Sequence, residues 1–71
     1  MVAQIDVYVL RDTGPIWLGC TKTNLDAVEL IEKSGIGNYC VLSTADLYRD
    51  FYNVRQDGAV VLVECRDALS P

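Results

Sequence analysis

The chain has 71 residues, 51% of them hydrophobic, and a formal net charge of −4. Its basic residues are scattered as Arg11, Lys22, Lys33, Arg49, Arg55 and Arg66, so no cationic face forms and sequence-independent nucleic-acid binding is disfavoured. The length is that of one domain, residues 1–71, near the lower limit at which a core holds a chain folded unaided.

At this size a core nets only ~3–5 kcal/mol, and small proteins commonly add disulfides, a metal or a second subunit. Histidine is absent, which removes the commonest general base and the commonest metal ligand. The carboxylates of Asp26, Glu29, Glu32, Asp46 and Asp50 read as solvated helix edges and caps. No catalytic residue, metal site or cofactor is assigned, and the chain is read as a protein without enzymatic activity. Cys20, Cys40 and Cys65 lack CxxC spacing and read as small buried hydrophobes in a reducing compartment. Residues 1–6 carry no secretory pattern and no apolar run approaches membrane-spanning length. A cytoplasmic location, away from membranes, is expected.

In chain order, Ile5, Val7 and Val9 alternate with Asp6, Tyr8 and Leu10, a period-two strand. Residues 11–15 supply turn chemistry and residues 16–21 resume an extended pattern, so the two form a hairpin. Pairing Ile5, Val7 and Val9 with Cys20, Leu18 and Ile16 on one face makes Tyr8 and Trp17 a cross-strand aromatic pair on the other.

Thr23 or Asn24 then caps a helix whose apolar arc is Leu25, Ala27, Val28, Leu30 and Ile31, with Asp26, Glu29 and Lys33 as its wet edge. This helix is expected to be mostly buried, and Ser34-Gly35 ends it. Gly35-Ile36-Gly37 follows a helix, the reverse of the phosphate-cradling order. Residues 39–42 read as an interior strand. Ser43-Thr44-Ala45-Asp46 has the spacing of a capping box and predicts a second helix with Leu47, Phe51 and Val54 inward and Tyr48 and Tyr52 adjacent at its boundary. Asp57-Gly58 turns the chain into the most apolar run, residues 58–64, expected to be a strand covered on both sides. Residues 66–71 read as a frayed tail.

The expected fold is therefore a two-layer α+β domain of order β-β-α-β-α-β, a four-stranded mixed sheet with two helices on one face. Its bare face would expose Tyr8, Leu10 and Trp17 from the hairpin together with Val60 and Leu62. With Tyr48 and Tyr52 at the helix boundary, these residues form the expected interface. The function expected is a small protein-interaction module that binds without catalysis and pairs as a homodimer through that face.

Residues 40–47, Cys-Val-Leu-Ser-Thr-Ala-Asp-Leu, are also similar to the end of a CBS repeat. There a strand, a Ser/Thr and an Asp three residues later at a helix start contact the ribose and phosphates of adenine nucleotides. The resemblance implies an alternative function, a ligand-sensing domain with a nucleotide or anion at Ser43, Thr44 and Asp46. A capping box accounts for the same residues without a ligand.

Overall fold

The computed structural model describes residues 4–43 and 48–67. Its elements are β1 (Ile5–Arg11), β2 (Gly14–Thr21), α1 (Asn24–Ser34), β3 (Gly37–Ser43), β4 (Tyr48–Val54) and β5 (Val60–Asp67). The strands form one antiparallel sheet in the order β2-β1-β3-β4-β5. Among the described residues α1 is the only helix, which corrects the expected four-stranded mixed sheet with two helices.

The hairpin forms as its pattern dictates. Arg11 pairs with Gly14, leaving Asp12 and Thr13 as the two turn residues, and Tyr8 pairs with Trp17. The ladder slips between Val7 and Tyr8, so Val7 faces Gly19 and Asp6 faces Cys20. Leu18 is the extra residue of this bulge. It packs against the core, while Cys20 is exposed instead of filling the interior. Bulges of this kind are common on edge strands, where they add twist and spoil pairing with other chains.

The ends of α1 follow from local chemistry. Thr23 is the N-cap, in extended conformation, and its hydroxyl accepts from the Asp26 amide at 3.1 Å. Gly35 closes the helix at φ 98° and ψ −169°, a backbone nearly confined to glycine because a Cβ disfavours it. The Tyr39 hydroxyl donates to the Gly35 carbonyl at 2.8 Å, tying the end of α1 to β3. The helix is less buried than its apolar arc suggests. Ala27 and Ile31 are enclosed, but Leu25 is 70% exposed.

Residues 48–54 are where expectation and structure part. They form β4, a strand paired to β3 on one side and β5 on the other. Tyr48, Phe51, Tyr52 and Val54 suit a pleated surface, and β4 supplies partners for backbone groups of both neighbours. The turn that follows is a tight hairpin loop. The Gly58 amide donates to the Arg55 carbonyl, and the Arg55 amide to the Ala59 carbonyl, both at 2.9 Å. Gly58 takes φ 88°, and Asp57 Oδ1 accepts from the Ala59 amide at 2.9 Å. Asp57-Gly58 thus joins two strands.

Strand β5 is correspondingly an edge and not the doubly covered centre of the sheet. Leu62 and Val63 are 53% and 64% exposed. A second register slip, between Phe51 and Tyr52, leaves Val63 as its extra residue. The strand runs on to Asp67, past the point where the tail was expected to begin.

The core lies between α1 and one face of the sheet. Ile5, Val7 and Val9 of β1, Tyr39 and Val41 of β3, and Val54 of β4 enclose Ala27 and Ile31. In the ladder Val7 lies opposite Val41 and Val9 opposite Tyr39, so the alternation read in β1 continues across the sheet. Helix α1 touches β1 and both edge strands, β2 and β5, so the sheet curls around it. One helix covers one face, and the other face has no covering layer among the described residues.

Candidate interaction surface

Cross-strand partners share a face, so the registers assign the uncovered side directly. From β1 it carries Asp6, Tyr8 and Leu10; from β2, Pro15 and Trp17; from β3, Cys40 and Leu42; from β4, Arg49 and Phe51. Trp17 is 56% exposed, and Tyr8, Leu10, Leu42 and Phe51 are half-buried. The Trp17 indole nitrogen donates to Asp6 Oδ1 at 3.2 Å, and the Gln4 amide nitrogen donates to the same oxygen at 3.1 Å. The ring is thereby held at the sheet surface.

Between these side chains lies a shallow hollow of about 250 Å³. Its walls are Tyr8, Leu10, Pro15, Leu42 and Phe51, with Cys40 and Arg49 contributing the only thiol and the only charge. Burial pushes the Cys40 thiol up; the nearby Arg49 opposes that shift and Asp50 adds to it. The thiol is therefore protonated at neutral pH and a weak nucleophile. The Arg49 Nε is shut off from water without a hydrogen-bond partner.

The expected interface residues divide between the two faces. Tyr8, Leu10 and Trp17 share the uncovered side. Val60 and Leu62, expected beside them, lie across from Val54 and Tyr52 on the helix side, because the hairpin loop after β4 pairs Val54 with Val60 and so sets their register. Tyr48 and Tyr52 are neighbours on that side by strand period, two residues either side of Asp50. The Tyr48 hydroxyl donates to Asn24 Oδ1, joining β4 to the start of α1.

Asp50 is 9% exposed with one oxygen unpartnered. It faces Cys65 across the ladder and accepts a hydrogen bond from it, which raises the Cys65 thiol pKa above its usual value. Burial raises the Tyr52 phenol, with Asp50 adding to the effect. Cys65 is itself exposed, so of the three thiols only Cys40 is even half-buried, against the expectation that all three fill the core. Among the described residues no three of His, Cys, Asp and Glu come close enough together to hold a metal ion.

The nucleotide reading loses its geometry. Ser43 is the last residue of β3, 1% exposed on the helix side, and the chain from Tyr48 onward is strand. Thr44 and Asp46 lie outside the described residues. The helix whose first-turn amides would have attracted an anion is not formed over 48–54.

Leu42, Phe51, Cys40, Pro15 and Arg49 were missed as members of the open face. The signal that could have found them is Asp57-Gly58. Read as a hairpin turn, it makes residues 48–54 a strand and sends Phe51 to the side opposite Tyr52.

No protein-family model matches the sequence, and no curated protein or solved structure shows a significant match to it. No helix among the described residues is long and apolar enough to cross a membrane.

Proposed function

We propose that the chain is a protein-interaction module that works by association, a homodimer joined through the uncovered face of its sheet, without catalysis. The observation that carries this reading is the exposure of Trp17, 56%, beside Tyr8, Leu10, Leu42 and Phe51 on a face with no second layer among the described residues. Contiguous apolar surface rimmed by polar groups marks association sites, and aromatic side chains dominate binding hot spots. A second copy also supplies what a 71-residue core lacks. The three free thiols support a reducing compartment, hence a cytoplasmic location.

Light scattering on the purified chain tests the reading. Wild type at micromolar concentration should show twice the 7.9 kDa chain mass, and Trp17→Ser should bring it to one chain. A wild type that stays monomeric, or a dimer unaffected by both Trp17→Ser and Phe51→Asp, overturns the proposal.

A further inference from the structure

We infer that the second copy sits on the open face with the two-fold axis running along β3, so that Asp6 of each subunit pairs with Arg49 of the other. This rests on the homodimer proposed above and fixes its geometry and its polar contact. The registers put Asp6, Leu42 and Arg49 in one row across the open face, and Tyr8, Cys40 and Phe51 in the next. Asp6 and Arg49 are the only charges that β1, β3 and β4 place on that side, one on each flank of β3. Within one copy they stand two strand spacings apart, roughly 10 Å, with Leu42 between them.

Covering the face takes both charges out of water, a cost offset only where each meets its opposite. Packed sheets keep their strands within about 30° of each other, so the axis of a symmetric pair runs either across the strands or along them. An axis across the strands, over the Tyr8 row, brings Asp6 over Leu10 and Arg49 over Asn53 of the partner subunit, and both charges stay unpaired. An axis along β1 sets Asp6 against its own copy, and one along β4 does the same to Arg49. An axis along β3 exchanges β1 with β4 and keeps every row in step, so the two unlike charges meet twice.

The rest of the face suits this arrangement. Leu42 and Cys40 lie on the axis and meet their own copies, while Tyr8 lies over Phe51. Trp17, on the β2 edge, comes over β5, where Val63 is 64% exposed and borders a second hollow with Leu10 and Phe51. The Asp6 carboxylate is already oriented. The Trp17 and Gln4 bonds both end on Oδ1, which leaves Oδ2 to accept from the guanidinium of the partner subunit.

The test is charge reversal in the full chain, read by light scattering, with circular dichroism to check that each variant folds. Asp6→Arg and Arg49→Asp should each weaken self-association about a hundredfold, since each builds two like-charge contacts. Mixed in equal amounts, the two variants should return a two-chain species, because every arginine then faces an aspartate across the seam. Both reversals in one chain should dimerise within about tenfold of wild type. Asp6→Asn and Arg49→Gln add no repulsion and serve if a reversal fails to fold; together they should weaken the dimer by less than the product of their separate effects. A wild-type dimer that withstands both reversals, or folded reversals that stay monomeric when mixed, overturns this pairing and leaves the homodimer standing. Additive effects of the two neutral variants overturn it equally, whereas a monomeric wild type removes the homodimer and the pairing together.

Discussion

The indole nitrogen of Trp17 donates to Asp6 Oδ1 at 3.2 Å, so the most exposed aromatic ring of the hairpin is tethered to the strand beside it. A loose indole would lose side-chain freedom on docking against a partner; a tethered one has already lost much of it. The tether and the direct Tyr8 to Trp17 pairing together make the hairpin's outer side a fixed surface.

Asp6→Ala should release the ring at small cost. The bond is exposed, so stability should fall by less than about 1 kcal/mol. The single tryptophan makes fluorescence anisotropy a clean reporter, and it should drop in the variant measured as a monomer. An unchanged anisotropy would mean that packing on Tyr8, and not the hydrogen bond, holds the indole.

Helix α1 is attached by few side chains, and they are unequal. Ile31 is fully enclosed whereas Leu25 is 70% exposed. Ile31→Ala should cost about 2–5 kcal/mol, comparable to the whole stability expected of so small a core, and leave the chain largely unfolded by circular dichroism. Leu25→Ala should change the urea midpoint by no more than about 0.5 kcal/mol equivalent. Similar losses at the two positions would contradict the helix orientation described above.

Gly35 takes φ 98°, and a Cβ built there meets nothing within 4 Å. Any penalty for a side chain is therefore backbone strain and not collision. Gly35→Ala and Gly35→Asn should each destabilise by about 1–3 kcal/mol, because φ 98° with ψ −169° lies in a region nearly confined to glycine and outside the left-handed well that asparagine tolerates. A loss below about 0.5 kcal/mol for both substitutions in denaturant unfolding would show that conformation is not what selects glycine here.

Alkali should loosen the fold. Burial raises the Cys40 thiol above its ordinary 9.0 and the Tyr52 phenol above its ordinary 10.0. Both groups hold their protons more tightly when folded. The unfolded chain therefore binds fewer protons over this range, and stability must fall with rising pH. The contribution is complete below about pH 9 and is lost as pH climbs through the unfolded and then the folded values. Urea midpoints measured from pH 7 to above pH 10 should decline, and Cys40→Ala with Tyr52→Phe should flatten the slope. A decline of equal steepness in the double variant would assign it to other groups.

The correction at β4 has a plain physical source. Leu47, Phe51 and Val54 repeat at helical spacing, while Tyr48, Tyr52 and Val54 share a strand face with Asp50 between the tyrosines, so one stretch satisfies both periods. The tie is broken by backbone hydrogen bonding with β3 and β5, chain segments several residues away on either side. The aliphatic run of β5 misled for a related reason. Apolar side chains without alternation say that a strand can be covered on both sides, not that anything is there to cover it.

What could be read from the residues alone was whatever contacts within a few positions decide: the alternation of Ile5, Val7 and Val9, the hairpin and its Tyr8 to Trp17 pair, the Thr23 cap and the Gly35 stop. These depend on dihedral preferences and neighbouring hydrogen bonds. Folding of the whole chain decided the rest: the strand identity of 48–54, the register slip that exposes Cys20, the β4–β5 pairing that puts Val60 and Leu62 on the helix side, and the meeting of Leu42, Arg49 and Phe51 with the hairpin's outer face. Each of these is a matter of register between strands. A one-residue shift reverses every side chain, and no local pattern sets it.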